Sequence, residues 1–559
     1  MLQKEAAEEG DADMKKNRLQ TMDRISDLPD PIVHHIMSFL TTLDITKISI
    51  LSKRFFFLWS SFPVIDFDQS TFARTSQGTL AFVTDAFLNH IHNSTRLRRI
   101  DTVLSKFRVK ANLNGISVDR RFDSAISFAL ENGVKIMDLN LGFAKYQLPV
   151  SFASESINVL SLNGLKFDLC DLILACPSLG TLSLTSCEFL RDVNFSSLTL
   201  TDIKLRWCVV KFIKIKALNL HYFFFDADKH HPTRCQINLL QCENIRHLWL
   251  HNLVNGHDWI EEHANSLGEL ETFILNGCQD IKQIRVCNEK LERVNLFNCP
   301  ALVSVEVIAP SLKYFCYRGT DRNRVCNISF TASSRIRYLS IEDAGITDQW
   351  MEAQLAKFRC LEGLRLVACN SLKKVKIVHE NLQELELYNC LRLTEAEINT
   401  PQLLCFEYRG GIIELCTMEL IIPEELRERL VPPLYDLQHL EIHIKSMDKI
   451  ETDLVDSLLW LSPLPKTLRI SSGLDDTLQM IIKFAYNEMI GEEEDKNPFC
   501  CRSKPIKCWR HNLTRVDIKS SDDVCPNNGV ELQKYFRANT MMLDTICFSK
   551  GQFESREVI

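Results

Sequence analysis

The sequence predicts an α/β protein: a small all-helical module, then a solenoid with a parallel concave sheet and a convex side of mixed strands and short helices. Three observations carry this. Leu270, Phe273, Leu275 and Cys278 have the spacing L-x-x-L-x-L-x-x-C, and it returns 21 residues later at Leu291, Val294, Leu296 and Cys299. Between those registers, Ile281, Ile284 and Val286, and then Leu302, Val305 and Val307, form a second short apolar strand pattern, so each turn carries one strand and often two. Residues 23–63 instead hold three short helical patterns.

The repeat spacing is that of a leucine-rich repeat. Registers are readable from Ile157-Leu160-Leu162, Leu179-Leu182-Leu184 and Leu200-Ile203-Leu205, then from Ile245-Leu248-Leu250 through Leu361-Leu364-Leu366 to Leu403-Phe406-Tyr408 and Leu437-Leu440-Ile442. A spacing of 21 leaves room only for an extended segment on the convex side. The longer spacings admit a helix, and helix-like inserts stand at Asp258 to Ser266 and Asp348 to Phe358. Cys187, Cys208, Cys278, Cys299, Cys369 and Cys390 share one place in the repeat, three residues past the last apolar strand residue. There a thiol turns inward and donates to a neighbouring turn, so these are expected to be reduced structural cysteines.

Composition narrows the function classes. At 559 residues the chain needs several cores or a long repeat array, and its formal charge of -7 with pI near 6.1 argues against a nucleic-acid partner. There is no apolar run long enough for a membrane span and no secretory leader, so the expectation is no membrane and a soluble protein of the nucleus or cytoplasm. C-x-x-C pairs are absent. Cys500, Cys501, Cys508 and His511 match no common zinc spacing, and neither His34-His35 nor His230-His231 stands near a nucleophile or carboxylate at a telling distance. Cys278-Gln279-Asp280 offers C-x-D, but the structural place of Cys278 implies a buried, inert thiol. No metal, no cofactor and no catalytic residue is expected.

In residues 23–63 Asp30 is placed to cap a helix that starts at Pro31, with Ile32, Ile36, Met37, Phe39 and Leu40 on its apolar face. A second helix follows from Thr42 or Asp44 through Ile45, Ile48 and Leu51, and a third runs from Lys53 through Trp59. Three helices in about 40 residues cannot bury so many large apolar side chains alone. Part of the third helix is expected to pack on the chain's own repeats, and the rest must meet another surface.

Leu28-Pro29, Ile32, Ile36, Phe39-Leu40, Ile48, Leu51-Ser52-Lys53-Arg54 and Trp59 together resemble an F-box, the module that docks a substrate receptor onto the Skp-type adaptor of a cullin-RING ubiquitin ligase. The segment departs from the commonest pattern at Phe55, where Trp is usual, and at Thr41-Thr42, where Pro often follows the first helix. The resemblance implies a non-catalytic substrate-recognition subunit of a Skp-cullin-F-box ubiquitin ligase, whose partners are the adaptor, a cullin through it, and a protein substrate. It assigns Leu28, Pro29, Ile32, Ile36, Leu40, Ile45 and Leu51 to adaptor binding or to the F-box core. The alternatives are an F-box hormone co-receptor that holds a small ligand in the repeat arc, and a repeat scaffold outside any ligase.

Between the F-box and the repeats, Leu80 to His92 and Asp119 to Asn132 read as helices, Leu104 to Val109 as a strand, and Gly133 as a helix C-cap. This order resembles the first turn of plant F-box proteins with leucine-rich repeats, where it caps the solenoid edge. Near the other end a short helix reads at Glu424 to Leu430 and a charged loop at Gly491 to Pro498. The tail, with a strand at Leu513, Val516 and Ile518, a helix at Val530 to Ala538 and a strand at Leu543 to Phe548, resembles the FBD domain that ends many such proteins. The expected division is therefore a disordered tail at 1–20, an F-box at 21–65, a linker and cap at 66–135, repeats at 136–470 and an FBD-like cap at 471–559.

On each strand the positions between the apolar ones belong to no core. Reading along the repeats gives Asn276, Phe297, Arg318, Glu342, Val367, Tyr388 and Arg409 in one series, and Ile274, Asn295, Cys316, Ser340, Arg365, Glu386 and Glu407 in another. The aromatic and arginine mixture of Phe297, Arg318, Arg365, Tyr388 and Arg409 suits a protein-binding hot spot and marks the candidate substrate-binding residues.

Overall fold

The computed structural model describes residues 25, 27–73, 79–100, 103–113, 120–142, 146–149, 151–228, 235–254, 264–320, 326–410, 414–415, 434, 437–444, 452–472, 478–487, 509–520, 526–540 and 543–550. The expected tail at 1–20, most of the insert at 258–266, the helix at 424–430, the loop at 491–498, residues 230–231 and the cysteines at 500, 501 and 508 lie outside them. Two compact units are present, Met1–Phe212 and Ile213–Ile559.

The first unit opens on three helices, α1 (Asp30–Met37), α2 (Thr42–Ser49) and α3 (Lys53–Ser61). Their caps differ from the sequence reading. Pro29 takes the N-cap of α1, and Asp30 lies inside the first turn, 2.8 Å from the Arg54 guanidinium of α3. For α2 the cap is Thr41, one residue before the expected start; its hydroxyl accepts from the Asp44 N–H and donates to the Asp44 carboxylate at 2.7 Å. Ser52 caps α3 through the Phe55 N–H. Such caps satisfy donors that a helix leaves orphaned, each contributing about 1 kcal/mol. Val33, Met37, Ile45, Phe55, Leu58, Trp59 and Phe62 form the shared core.

Directly after α3 the chain enters a strand, Val64–Asp68, which pairs in parallel with Lys106–Lys110. Ile136–Asn140, Val159–Asn163, Thr181–Thr185 and Asp202–Arg206 continue the same ladder. The helices Leu80–Leu97 and Arg120–Glu131 fill the first two crossovers, and Gly133 ends the second at φ +64°. The parallel ladder therefore starts at Val64, inside the segment that the sequence divided between F-box and linker. Five-residue strands separated by long helices carry no 21-residue period, which is why the first rungs escape a search for repeats.

In the second unit, parallel rungs follow one another from Tyr222–Asp226 and His247–His251 through Thr272–Asn276, Arg293–Phe297, Tyr314–Arg318, Tyr338–Glu342, Gly363–Val367 and Glu384–Tyr388 to Cys405–Gly410, His439–Ile444 and Thr467–Ser472. Tyr222–Asp226 was hidden in the sequence, because Tyr-Phe-Phe-Phe masks the alternation on which a strand reading rests. The convex-side strands form small parallel sheets of their own, one of them Gln283–Cys287, Ser304–Ile308 and Asn327–Thr331. One expected insert is a helix, Asp348–Leu355, capped by Thr347. At the end, Leu478–Tyr486 and Leu513–Ser520 add to the long sheet in antiparallel sense, and Thr545–Lys550 joins in parallel. Asp456 ties this end down, 3.0 Å from Arg510 and hydrogen-bonded by the Tyr535 hydroxyl.

Many rungs close in the same way. The residue after the strand takes a left-handed conformation at Asn252, Gly277, Asn298, Asp343, Ala368 and Asn389, with φ between 51° and 68°. That turn aims its N–H along the stack: Asn298 N–H reaches the Arg318 carbonyl at 2.8 Å and Ala368 N–H the Tyr388 carbonyl at 2.7 Å. The cysteine one residue later points inward, with Cys278 Sγ 3.7 Å from the Leu250 carbonyl and Cys369 Sγ 3.5 Å from the Ile341 carbonyl. A hydrogen bond with Cys390 and burial both push the Cys369 thiol well up, and burial does the same to Cys208, so these sulfurs stay protonated donors.

Replacing Cys369 by Asn, which also donates, is expected to keep the fold. Cys369→Val leaves the Ile341 carbonyl without this donor and is expected to cost about 1–3 kcal/mol, read as a lower midpoint in urea unfolding.

Candidate functional site

Two surfaces stand out, one in each unit. The first is the outer face of the helical module. Its seven sequence-assigned residues divide: Ile45 is buried in the core and Leu28 is half-buried against it, while Pro29, Ile32, Ile36, Leu40 and Leu51 are exposed. Helix α1 is therefore apolar over a wide arc, Val33 and Met37 buried and Ile32 and Ile36, about a quarter turn away, exposed. The part of this arc left uncovered calls for a partner. Phe39, Ile50 and Leu51 are 77%, 81% and 72% exposed, and Phe57 adds to the same set of solvent-facing apolar side chains. Ile50 and Phe57 were not among the assigned residues. Their signal was the surplus of large apolar residues over what three short helices can bury.

Neither departure from the commonest F-box pattern lies among these exposed apolar side chains. Phe55 is in the core, and Thr41 makes the α2 cap that a proline cannot make. The sequence predicts that part of the third helix packs on the repeats; the contact found is with Arg98, in the segment before them. The Arg98 guanidinium stacks 4.2 Å over the Trp59 ring and donates to the Trp59 backbone carbonyl. Burial pulls Arg98 down to about 9, which leaves it charged at neutral pH. A cleft of about 350 Å³ lies beside α1 and α2, with Leu40, Thr41 and Ile45 on one wall and Arg108, ion-paired to Asp66, on another.

The second surface is the open face of the long sheet in the second unit. All five candidate residues lie on it. Arg318 sits 5.8 Å from the Phe297 ring and 2.6 Å from the Glu342 carboxylate. Arg365 and Arg409 approach Tyr388 at 5.6 and 5.9 Å, and Arg365 also pairs with Glu386 at 3.2 Å. The Tyr388 hydroxyl donates to the nearly buried Glu407 carboxylate; burial and that carboxylate raise the phenol above its ordinary range. Beside this cluster is a hollow of about 320 Å³ with Asn295, Cys316, Ser340 and Gly363 in its lining. Phe297 and Arg365 line it too; Arg318, Tyr388 and Arg409 do not.

Much of the lining comes from a column the sequence reading passed over, the first residue of each strand: Arg293, Tyr314, Tyr338, Gly363 and Glu384. These positions alternate with the apolar ones as the other two series do, so the same period would have found them. Among the described residues no cluster of metal-ligating side chains is present, and no helix is long and apolar enough to cross a membrane.

A helical module with exposed apolar side chains, joined in one chain to a parallel-rung repeat array, defines the architecture of the protein. Comparison with known proteins agrees with that architecture. The F-box domain model matches residues 25–66, and the model of the At1g61320/AtMIF1 LRR domain matches residues 325–430. The chain is similar to F-box protein At3g59000 of Arabidopsis thaliana, 32% identical over 188 residues, which are 32% of this chain and 38% of the relative. It is 28% identical to F-box/LRR-repeat protein At3g58900 over 48% of this chain and 95% of the relative, and 32% identical to F-box/LRR-repeat protein At3g58930 over 22% and 25%, both from the same plant. Of the first and third of these the chain spans less than two thirds. Over these stretches the chain is similar to plant F-box/leucine-rich-repeat proteins.

Arg98→Ala removes the cation from Trp59 and its carbonyl bond, and is expected to lower stability by about 1–3 kcal/mol. Earlier melting and faster proteolytic release of the helical module would report it.

Proposed function

We propose that this protein is a substrate-recognition subunit of a Skp-cullin-F-box ubiquitin ligase. The observation that carries this is the exposed apolar set on α1, α2 and α3, which lies on a segment matched by the F-box model. Ile32, Ile36, Leu40 and Leu51, with Ile50 and Phe57, dock the Skp-type adaptor, and a cullin joins through it. Leu28 and Ile45 hold the module together, and Pro29 fixes the start of α1. The open face of the second unit's sheet binds the protein substrate, with Phe297, Arg318, Arg365, Tyr388 and Arg409 as contact residues.

The mechanism is proximity. Holding a substrate beside a ubiquitin-charged conjugating enzyme raises the effective concentration of its lysines, and this chain supplies no reacting group. The region after Leu478, antiparallel strands plus the helix Pro526–Asn539, serves as the FBD-like cap that protects the last sheet edge. The protein acts in the nucleus or cytoplasm, where such ligases meet their substrates.

Ile36→Asp and Leu51→Asp place charges on exposed positions, so each is expected to leave thermal stability nearly unchanged while reducing adaptor capture by about a hundredfold, as truncating a buried hot spot does. Copurification from cells expressing both chains reads this directly. Undiminished adaptor capture by the double variant would exclude docking through this face.

A further inference from the structure

The first-position column on the open face is a stack of flat groups with one rung empty. Arg293 lies with its guanidinium 4.2 Å from the Tyr314 ring centre, and Tyr314 is parallel to Tyr338 at 5.3 Å and 1°. The next rung, Gly363, has no side chain. A Cβ there would meet Tyr338 Cδ1 at 2.5 Å and Cε1 at 2.9 Å, so the ring leans over the glycine and any larger residue would push it away. Beyond the empty rung stands Glu384, exposed and without an ion-pair partner among the described residues. The neighbouring column brings Glu386 to the same hollow, with Arg365 already paired to it.

We infer that this notch takes an arginine side chain of the substrate, its guanidinium lying between the Tyr338 ring and the Glu384 carboxylate and continuing the stack that Arg293 begins. The inference rests on the open face being the substrate-recognition surface. Three features favour arginine over other occupants. The notch is bounded by the face of an aromatic ring, to which a planar, weakly hydrated cation stacks better than an ammonium. Its far wall is an unpaired carboxylate, which a guanidinium meets through parallel hydrogen bonds. Local charge agrees: burial, and after it the negative charges of Glu362 and Glu384, push the Tyr338 phenol up. The arginines of the hollow are already engaged, Arg293 on Tyr314 and Arg365 on Glu386, so an acidic side chain finds no free cation there.

The test uses the full chain and a Gly/Ser nonapeptide carrying one central arginine, with lysine, citrulline and glutamate versions as controls, followed by saturation-transfer NMR. The arginine peptide is expected to bind, with the strongest transfer at the methylene beside the guanidinium. Glu384→Gln and, separately, Gly363→Ala are expected to weaken it by about tenfold or more, the factor that one cation–ring contact or charged pair commands. Because Gly363→Ala touches a strand, Glu384→Gln, at an exposed position, keeps the test independent of folding. No detectable arginine-peptide binding, equal binding of a control, or binding that survives both substitutions would overturn the inference. Adaptor capture is measured on the same preparations. An arginine peptide that binds a chain unable to capture adaptor removes the ligase reading and leaves the notch, and the reverse pattern removes the notch alone.

Discussion

The stack is governed by one constraint: every strand pairs in register with the equivalent strand of the next turn. The residue after the strand supports it, often in a left-handed conformation, because its N–H reaches the carbonyl that closes the following rung, as from Asn298 to Arg318 and from Ala368 to Tyr388. Register then fixes which side chains are neighbours. On the open face, like positions stand about 4.8 Å apart in columns, so a substitution in one rung is felt by the two beside it. The polar rungs obey this: Arg318 faces Glu342, Arg365 faces Glu386, and Glu441 faces Arg469.

One run goes against that pattern. Glu386, Glu407 and Glu441 are successive in a single column, where directly opposed like charges destabilise a sheet. Arg365 and Arg469 flank the run, and Glu407 is held by the Tyr388 hydroxyl. Burial, followed by the charge of Glu407, pushes the Cys405 thiol up to about 12, a further mark of the negative potential here. A fold needing only stability would place β-branched or alternating charges in these rungs. Under the proposed function, an acidic run on a face lined with tyrosine and arginine serves what it meets rather than what it supports. The helical module has a feature of the same kind, since among the described residues Val33 and Met37 are inside while Ile36 stays uncovered.

The period of 21 residues made the rungs of the second unit legible, since buried leucines at fixed offsets are what a repeat sequence encodes. Two kinds of rung fell outside that period, although Lys106–Lys110 was still legible as a strand. Val64–Asp68 and Lys106–Lys110 stand outside the period because long helices separate them, and Tyr222–Asp226 is aromatic on both faces of the strand. For the helical module, the sequence showed an apolar surplus but not its direction. Ile45 and Leu51 look alike as text, yet one is inside and one outside, because that depends on how three helices cross. The hollow was half legible: Phe297 and Arg365 follow from alternation, whereas Tyr338 and Glu384 gain meaning only from the missing side chain of Gly363 between them.

The same register decides how such a face can discriminate. Rungs bonded on both sides cannot shift singly, so the open face is organised before anything binds, and the entropy of association falls on an extended peptide at about 1–2 kcal/mol for each backbone residue fixed. A few strong anchors must outweigh that cost. Most of the open face is ill suited to be one: its arginines already rest on phenylalanine, tyrosine or glutamate, and a ligand would have to replace contacts that the protein makes by itself. Positions with an unused aromatic face or an unused charge are the exceptions, and under the proposed function selection among substrates would concentrate there. This separates the two surfaces chemically. Docking of an adaptor on exposed aliphatic side chains requires only apolar complementarity, whereas choice among cargoes requires a site where the wrong side chain leaves a buried charge unanswered.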